Sequence, residues 1–162
     1  MAMSDQNKRR AAAAAIATSI AIPAEGIRQF AYYDPPGILT VCYGHTGSDV
    51  EKGRRYTLPE CDKFLNDDMR KAVAQVDACQ PGLPENVLAA FADAAYNLGP
   101  TVACNVHESH AARYLRAGRV VEACNELPKW NKTTIAGVKV PLPGLTSRRA
   151  KERGVCLGGD HA

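Results

Sequence analysis

The stretch AEGIRQFAYYDPPGILTVCYGHTG, residues 24–47, decides how the rest of the chain reads. It sets Glu25 nine positions before Asp34, and Asp34 six before Thr40. The β-prone runs FAYY and ILTVCY flank the turn DPPG, which predicts a small hairpin or sheet. An uncharged, alanine-rich run, residues 11–24, ends directly against Glu25. A helix end followed by a hairpin brings an acid, a second acid and a hydroxyl to one cleft. Glu25 then sits at the end of an apolar helix, where desolvation favours an uncharged carboxyl. Asp34 sits in a polar turn, where it stays charged, and Thr40 offers a hydroxyl to a water molecule. Two carboxyls in unlike surroundings, one a proton donor and one an anion, are what cleavage of a glycosidic bond requires.

Bulk properties bound the alternatives. The 162 residues suffice for one well-cored domain, and 23% charged with 46% hydrophobic residues is ordinary for a soluble globular chain. A formal net charge of +3 suits an acidic partner but is too small for a nucleic-acid-binding footprint. The six cysteines (42, 61, 79, 104, 124 and 156) form no Cys-x-x-Cys pair and no Cys-His cluster with zinc spacing, so no metal site is expected. They are either buried thiols or three disulfides, and disulfides require an oxidising compartment such as the bacterial periplasm. Six cysteines allow about 15 connectivities, and spacing alone does not choose among them.

The N-terminus, MAMSDQNKRRAAAAAIATSIAIPAEG, has a basic flank ending Lys8-Arg9-Arg10 and then an apolar core, the layout of a secretory signal. As a helix, residues 11–24 span roughly 21 Å, short of a ~30 Å bilayer core. Cleavage near Ala21 or Ala24 would leave Glu25 on a loose terminus, so an uncleaved anchor able to leave the membrane fits better. The other reading is a soluble helix packed on the core through Ala13, Ile16, Ile20 and Ile22, with Pro23 ending or kinking it.

Beyond the hairpin, TLPE (57–60) reads as a capping box. Cys61, Phe64, Leu65, Met69, Val73 and Val76 follow at helical spacing, for a helix of about 20 residues. PENVLAAFADAAYNLG is apolar around most of its surface, as a central buried helix would be, with Val87, Leu88, Phe91, Ala94, Ala95 and Leu98 in the core. Shorter helices are expected at 107–117 and 119–128, an extended loop or small hairpin at 131–144, and a basic helix at 145–153. The fold class is α+β: a small β lobe and a larger helical lobe.

The segment from Glu25 to Gly47 resembles the catalytic stretch of the phage-type lysozymes, the muramidases of glycoside hydrolase family 24 found in phage endolysins. Glu25-Gly26, Tyr33-Asp34, Gly37, Thr40 and Gly44-His45-Thr46-Gly47 carry the likeness. It continues through YTLPECDKFLNDDM, AAFADAAYNLGP and GLTSRRAKERGVCLGG, covering nearly all of 25–159. The resemblance implies a lysozyme-like fold and hydrolysis, with inversion, of the β-1,4 bond between N-acetylmuramic acid and N-acetylglucosamine in peptidoglycan. Glu25 matches the general acid, Asp34 the carboxylate that assists water, and Thr40 the residue that positions it. No cofactor is implied.

The resemblance also implies the disulfides Cys42–Cys61, Cys79–Cys104 and Cys124–Cys156. Residues 8–24 resemble the signal-arrest-release segment of some endolysins. That likeness implies a transient inner-membrane anchor, export to the periplasm of a Gram-negative host, and a division into an anchor-like 1–24 and a catalytic 25–162. A monomer is the expected state.

Three residues are candidate substrate contacts, each with a plainer alternative. His45 either touches the active site or braces its turn. Asn97 either caps the central helix or faces substrate. Trp130, the one tryptophan, either stacks on sugar or packs between lobes. Arg148 and Arg149 either face the anionic wall or complement the dipole of the last helix. Other functions leave their own marks. A lytic transglycosylase would use Glu25 without Asp34, and a non-catalytic wall-binding module would need no acid–acid–hydroxyl register. A membrane-anchored structural protein would not explain the four family segments.

Overall fold

Ser4 opens the first helix, its side chain accepting a hydrogen bond from the Asn7 N–H at 3.2 Å, with Asp5 in the first turn. The computed structural model describes residues 2–159; the expected domain end at 162 lies outside the described residues. Alanine is the best helix former, and the alanine run supplies α1 (Asp5–Glu25). The helix runs through Pro23 instead of ending at it. Pro23 is exposed in the last turn, where its ring costs one ladder bond, and Gly26 N–H closes the end on Ile22 O. Gly26, at φ 65°, then turns the chain into the β lobe.

That lobe is one antiparallel sheet of β1 (Arg28–Tyr33), β2 (Leu39–Cys42) and β3 (His45–Thr46), in that order. Thr40 pairs with Tyr32 on one side and Thr46 on the other. A small core of Val41, Cys42, Val50, Tyr56 and Cys61 lies beneath it. α2 (Leu58–Cys79) starts on the expected capping box: Thr57 Oγ1 accepts from Glu60 N–H at 3.2 Å, and Glu60 Oε2 accepts from Thr57 N–H at 2.7 Å.

The larger core is helical. α3 (Glu85–Leu98) is buried on every side from Val87 to Ala95, packed by α1, α2 and α7 (Pro143–Cys156). α4 (Thr101–Cys104), α5 (His110–Arg116) and α6 (Val120–Glu126) complete the lobe, and the 131–144 stretch is a hairpin of β4 (Lys132–Ile135) and β5 (Val138–Pro141). Disulfides join Cys42 to Cys61, Cys79 to Cys104 and Cys124 to Cys156. They tie β2 to the start of α2, the end of α2 to α4, and α6 to the end of α7.

The alanines of α1 have a packing role. Ala13, Ala17 and Ala21 are fully buried, with Ala14 and Ile20 nearly so, in one cluster with the alanines of α3. Small side chains on both helices let their axes approach closely. Ile22 is not in this stripe; it is exposed, because the helix turn carries it off the face that Ala13, Ala17 and Ile20 share.

The basic flank of α1 is also engaged. Asp77 of α2, almost wholly buried, accepts from Arg9 Nη2 at 2.5 Å and from Arg10 Nε at 2.6 Å, while Arg9 Nη1 donates to Leu83 O at 2.6 Å. Burial alone would raise the Asp77 carboxyl; the two arginines overcome it and hold it below its ordinary value. A carboxyl lowered on folding stabilises the fold above its unfolded value near 3.8, and that contribution is lost as pH falls through the lower folded value. Asp77→Ala is expected to cost about 1–3 kcal/mol, with both arginines able to reach water. Denaturant melts read this directly: equal midpoints for the variant and the parent at neutral pH would remove Asp77 as the fastening point of α1.

Candidate active site

The site assembles where the end of α1, the β1–β2 turn and the end of α3 meet. A cleft of about 440 Å³ is lined by Glu25, Asp34 and Thr40, by Tyr96 and Asn97 of α3, and by Lys132 of β4, among others. All three residues of the acid–acid–hydroxyl pattern therefore face one space.

Each is held differently. Asp34 is fixed by its own turn. Its N–H donates to Ile38 O at 3.0 Å, its carbonyl accepts from Gly37 N–H at 2.8 Å, and its Oδ1 accepts from Ile38 N–H at 2.7 Å. Oδ2 stands 3.4 Å from Thr40 Oγ1, a long contact, while that hydroxyl lies 2.9 Å from Ile38 O. With its single proton given to the carbonyl, Thr40 Oγ1 keeps lone pairs for a water proton, and Asp34 Oδ2 is free for the other.

Glu25 does not sit in an apolar pocket, contrary to the expectation from its alanine-rich approach. Arg148 of α7 donates from Nη1 to Glu25 Oε1 at 2.5 Å. The same guanidinium grips Asp93 of α3 with Nε and Nη2 at 2.9 and 2.8 Å. Burial disfavours the Arg148 charge, but Asp93 and then Glu25 more than compensate, so the group stays firmly cationic. Arg148 and Arg149 are both buried, so neither faces the wall nor lies exposed at the end of its helix. The signal available in the sequence was Asp93, an acid in the middle of a largely apolar helix, which needs a cationic partner.

The other oxygen of Glu25 faces Gly44. A Cβ at Gly44 would stand 3.5 Å from Glu25 Oε2 and 3.8 Å from Tyr96 Oη, and at φ 88° the position suits glycine. Tyr96 was not among the expected site residues. Its hydroxyl donates to the Tyr43 carbonyl, joining α3 to the β lobe beside Glu25. Burial, reinforced by the charges of Glu25 and Asp68, raises the phenol well above its ordinary value and keeps it neutral.

The three candidate substrate contacts separate. Asn97 lines the cleft, and its buried Oδ1 has no hydrogen-bond partner. His45 is a brace: Nδ1 meets Asp68 Oδ2 of α2 at 2.7 Å, Nε2 meets Asp49 Oδ1 at 2.9 Å, and the ring stacks on Phe64 with centroids 4.0 Å apart. Trp130 packs against the helical core, and its carbonyl lies 3.5 Å from Arg149 Nη1.

The phage lysozyme family model matches residues 23–152. A SAR-endolysin of Bacteriophage PS119 is 40% identical over 136 residues, 83% of this chain and 77% of that protein. Among solved structures, the muramidase domain of SpmX from Asticaccaulis excentricus superposes with a TM-score of 0.77 at 28% identity, over 87% of this chain and 94% of that one. The active form of the P1 phage endolysin Lyz gives 0.74 at 27% identity, covering 88% and 83%. The secreted inactive form of that endolysin gives 0.51 at 28% identity, covering 69% and 76%.

The His45 brace has a pH signature. Burial lowers the imidazole, but its bonds to Asp68 and Asp49 and their charges raise it above its ordinary 6.5 overall. A histidine raised on folding contributes fully below the unfolded value and loses that contribution as pH rises through the folded value. The stability gap between the parent and His45→Asn should therefore be widest near about pH 5 and narrow toward about pH 8. Urea melts across that range provide the check, and a gap independent of pH would mean that the brace is uncharged.

Proposed function

This chain belongs to the phage lysozyme family, and on that premise we propose how it works and where it acts. It is a lysozyme-type glycosidase, an endolysin muramidase, with peptidoglycan as its substrate. In the proposed reaction Glu25 is the general acid: it protonates the glycosidic oxygen leaving the N-acetylmuramic acid ring. Arg148 occupies Oε1, so Oε2, the oxygen toward Gly44, is the one that carries the proton. Asp34 Oδ2 and Thr40 Oγ1 together hold a water molecule by its two hydrogens, leaving an oxygen lone pair for the anomeric carbon. Asp34 accepts the proton as that bond forms, and the anomeric configuration inverts.

The observation that carries this reading is the shared cleft of Glu25, Asp34 and Thr40. Asn97 is the strongest candidate for a substrate contact, since its unpartnered Oδ1 would accept an N–H from an acetamido group. His45 and Trp130 have structural work elsewhere.

Residues 8–24 serve first as a transient inner-membrane anchor and then as α1, with 25–162 acting as the catalytic domain of a monomer in the host periplasm. While residues 11–24 lie in lipid, Glu25 is held at the bilayer surface and cannot join Asp34. No helix among the described residues is long and apolar enough to cross a membrane, and an anchor that must later leave needs only a weak grip. The name of the PS119 relative and the better match to the active than to the inactive form of the P1 endolysin support this order of events.

Digestion of Gram-negative peptidoglycan tests the chemistry, with the released ends read by mass spectrometry. The parent should leave reducing N-acetylmuramic acid ends and Glu25→Gln none. Anhydro ends would make the enzyme a lytic transglycosylase, and an active Glu25→Gln would remove Glu25 as the acid. Asn97→Ala should raise KM more than it lowers kcat. The anchor is tested by fractionating host cells before and after depolarisation: the protein should move from membrane to periplasm, and one found only in the cytosol would sink the proposal.

A further inference from the structure

Beneath Glu25 lies a charge cluster that the reaction as described does not use. Arg148 and Arg149 of α7 supply two positive charges. Asp93 of α3, Glu152 of α7 and Glu25 of α1 supply three carboxyls. Arg148 binds Asp93 through two nitrogens and Glu25 through the third. Arg149 Nη2 donates to Glu152 Oε1 at 2.6 Å, and Arg148 Nε lies 3.9 Å from that same oxygen. The side chains of Asp93, Arg149 and Glu152 have no exposure to solvent, whereas Glu25 is 22% exposed. With every acid ionised the cluster would carry a surplus negative charge in a dry interior, which is costly.

The position of one atom says where the surplus is removed. Glu152 Oε2 is buried and has no donor, and the carboxyl lies within hydrogen-bonding reach of Asp93. Two ionised carboxylates that close repel each other, so Glu152 is a favourable seat for a proton whenever Glu25 is ionised.

The geometry points to Glu152 as a positioning residue for the muramidase reaction: it and Glu25 are alternative seats for the single proton that keeps this cluster neutral. When Glu152 holds the proton, Glu25 is the anion paired with Arg148. When Glu25 holds it, Arg148 remains matched by Asp93 and Arg149 by Glu152, so both guanidinium charges are still balanced. Glu25 can therefore be a protonated acid beside an arginine without leaving any buried charge unpaired. Burial, then Asp93, push the Glu152 carboxyl well above the usual carboxylate range, against the opposing pull of Arg149.

Other ionisable groups lie on the elements around the cluster, and Lys151 of α7, exposed, lines a surface pocket with Arg148. Tyr96 of α3 stays neutral, Asp68 is taken up by His45, and Glu126 of α6 by Lys129.

This inference rests on Glu25 being the general acid, and the experiment separates the two. Rates of peptidoglycan hydrolysis are measured against pH for the parent, Glu152→Gln, Asp93→Asn and Glu25→Gln, with folding checked by circular dichroism. In Glu152→Gln the new amide can still accept from Arg149 and donate to Asp93, so the substitution removes the proton seat and keeps the bonds. Either neutralisation leaves one guanidinium unmatched, which pins Glu25 as an anion. The alkaline limb of the profile should then move to lower pH by about one to three pH units, with kcat affected and KM little changed. Infrared spectra provide a readout independent of turnover: the parent at neutral pH should show a protonated-carboxyl band that Glu152→Gln lacks. An inactive Glu25→Gln with unmoved limbs in both folded cluster variants would overturn the inference alone, as would absence of the band in the parent. An active Glu25→Gln would overturn the reading beneath it.

Discussion

One guanidinium ties the catalytic lobe together. Arg148 joins α7 to Asp93 on α3 and to Glu25 at the end of α1, so three helices from distant parts of the chain converge on one planar cation. An arginine suits this place because its fork offers two parallel bonds to one carboxylate and a further one to another. Removing any member of such a buried set leaves the others uncompensated. The orientation of the acid is therefore a property of helix packing: α1 must lie on α3 for Glu25 to reach Arg148, and the fully buried alanines of α1 bring it there.

The second half of the cleft is built by quite different means. Asp34 and Thr40 depend on a tight turn and the strand pairing beside it, with every fixing bond of the two side chains local to residues 34–40. His45 then fastens this lobe to α2 through Asp68, and Tyr96 fastens it to α3 through the Tyr43 carbonyl. The Glu25 side of the cleft is thus long-range and ionic, while the Asp34–Thr40 side is short-range and made of hydrogen bonds. The two sides meet across the cleft and through those two struts.

That division explains what the sequence could and could not reveal. The Asp34 turn, the Thr57–Glu60 capping box and the buried periodicity of α3 were legible because each is written in consecutive residues. The cluster of Asp93, Arg148, Arg149 and Glu152 was not, since Asp93 and Arg148 lie 55 positions apart and the two arginines read as facing the anionic wall or complementing the dipole of the last helix. The spacing of Glu25 to Asp34 was enough to bring both to one cleft, but the surroundings of Glu25 were misjudged: the apolar run before it lines a helix interface, not the pocket of the carboxyl itself. The isoleucines of α1 misled in the same way, drawing Ile22 into a stripe whose buried members are mostly alanines.

The three cross-links all fall between Cys42 and Cys156, so α1 and β1 lie outside every covalently closed loop. The three closed loops follow one another along the chain, and the described residues before Cys42 are joined to them covalently only through the backbone. None of the three disulfides therefore fixes the segment that carries Glu25, which is held by the packing of α1 and by its ion pairs. Whatever redox conditions form those bonds, the seating of Glu25 against Arg148 rests on helix packing and ion pairing, which thiols do not touch.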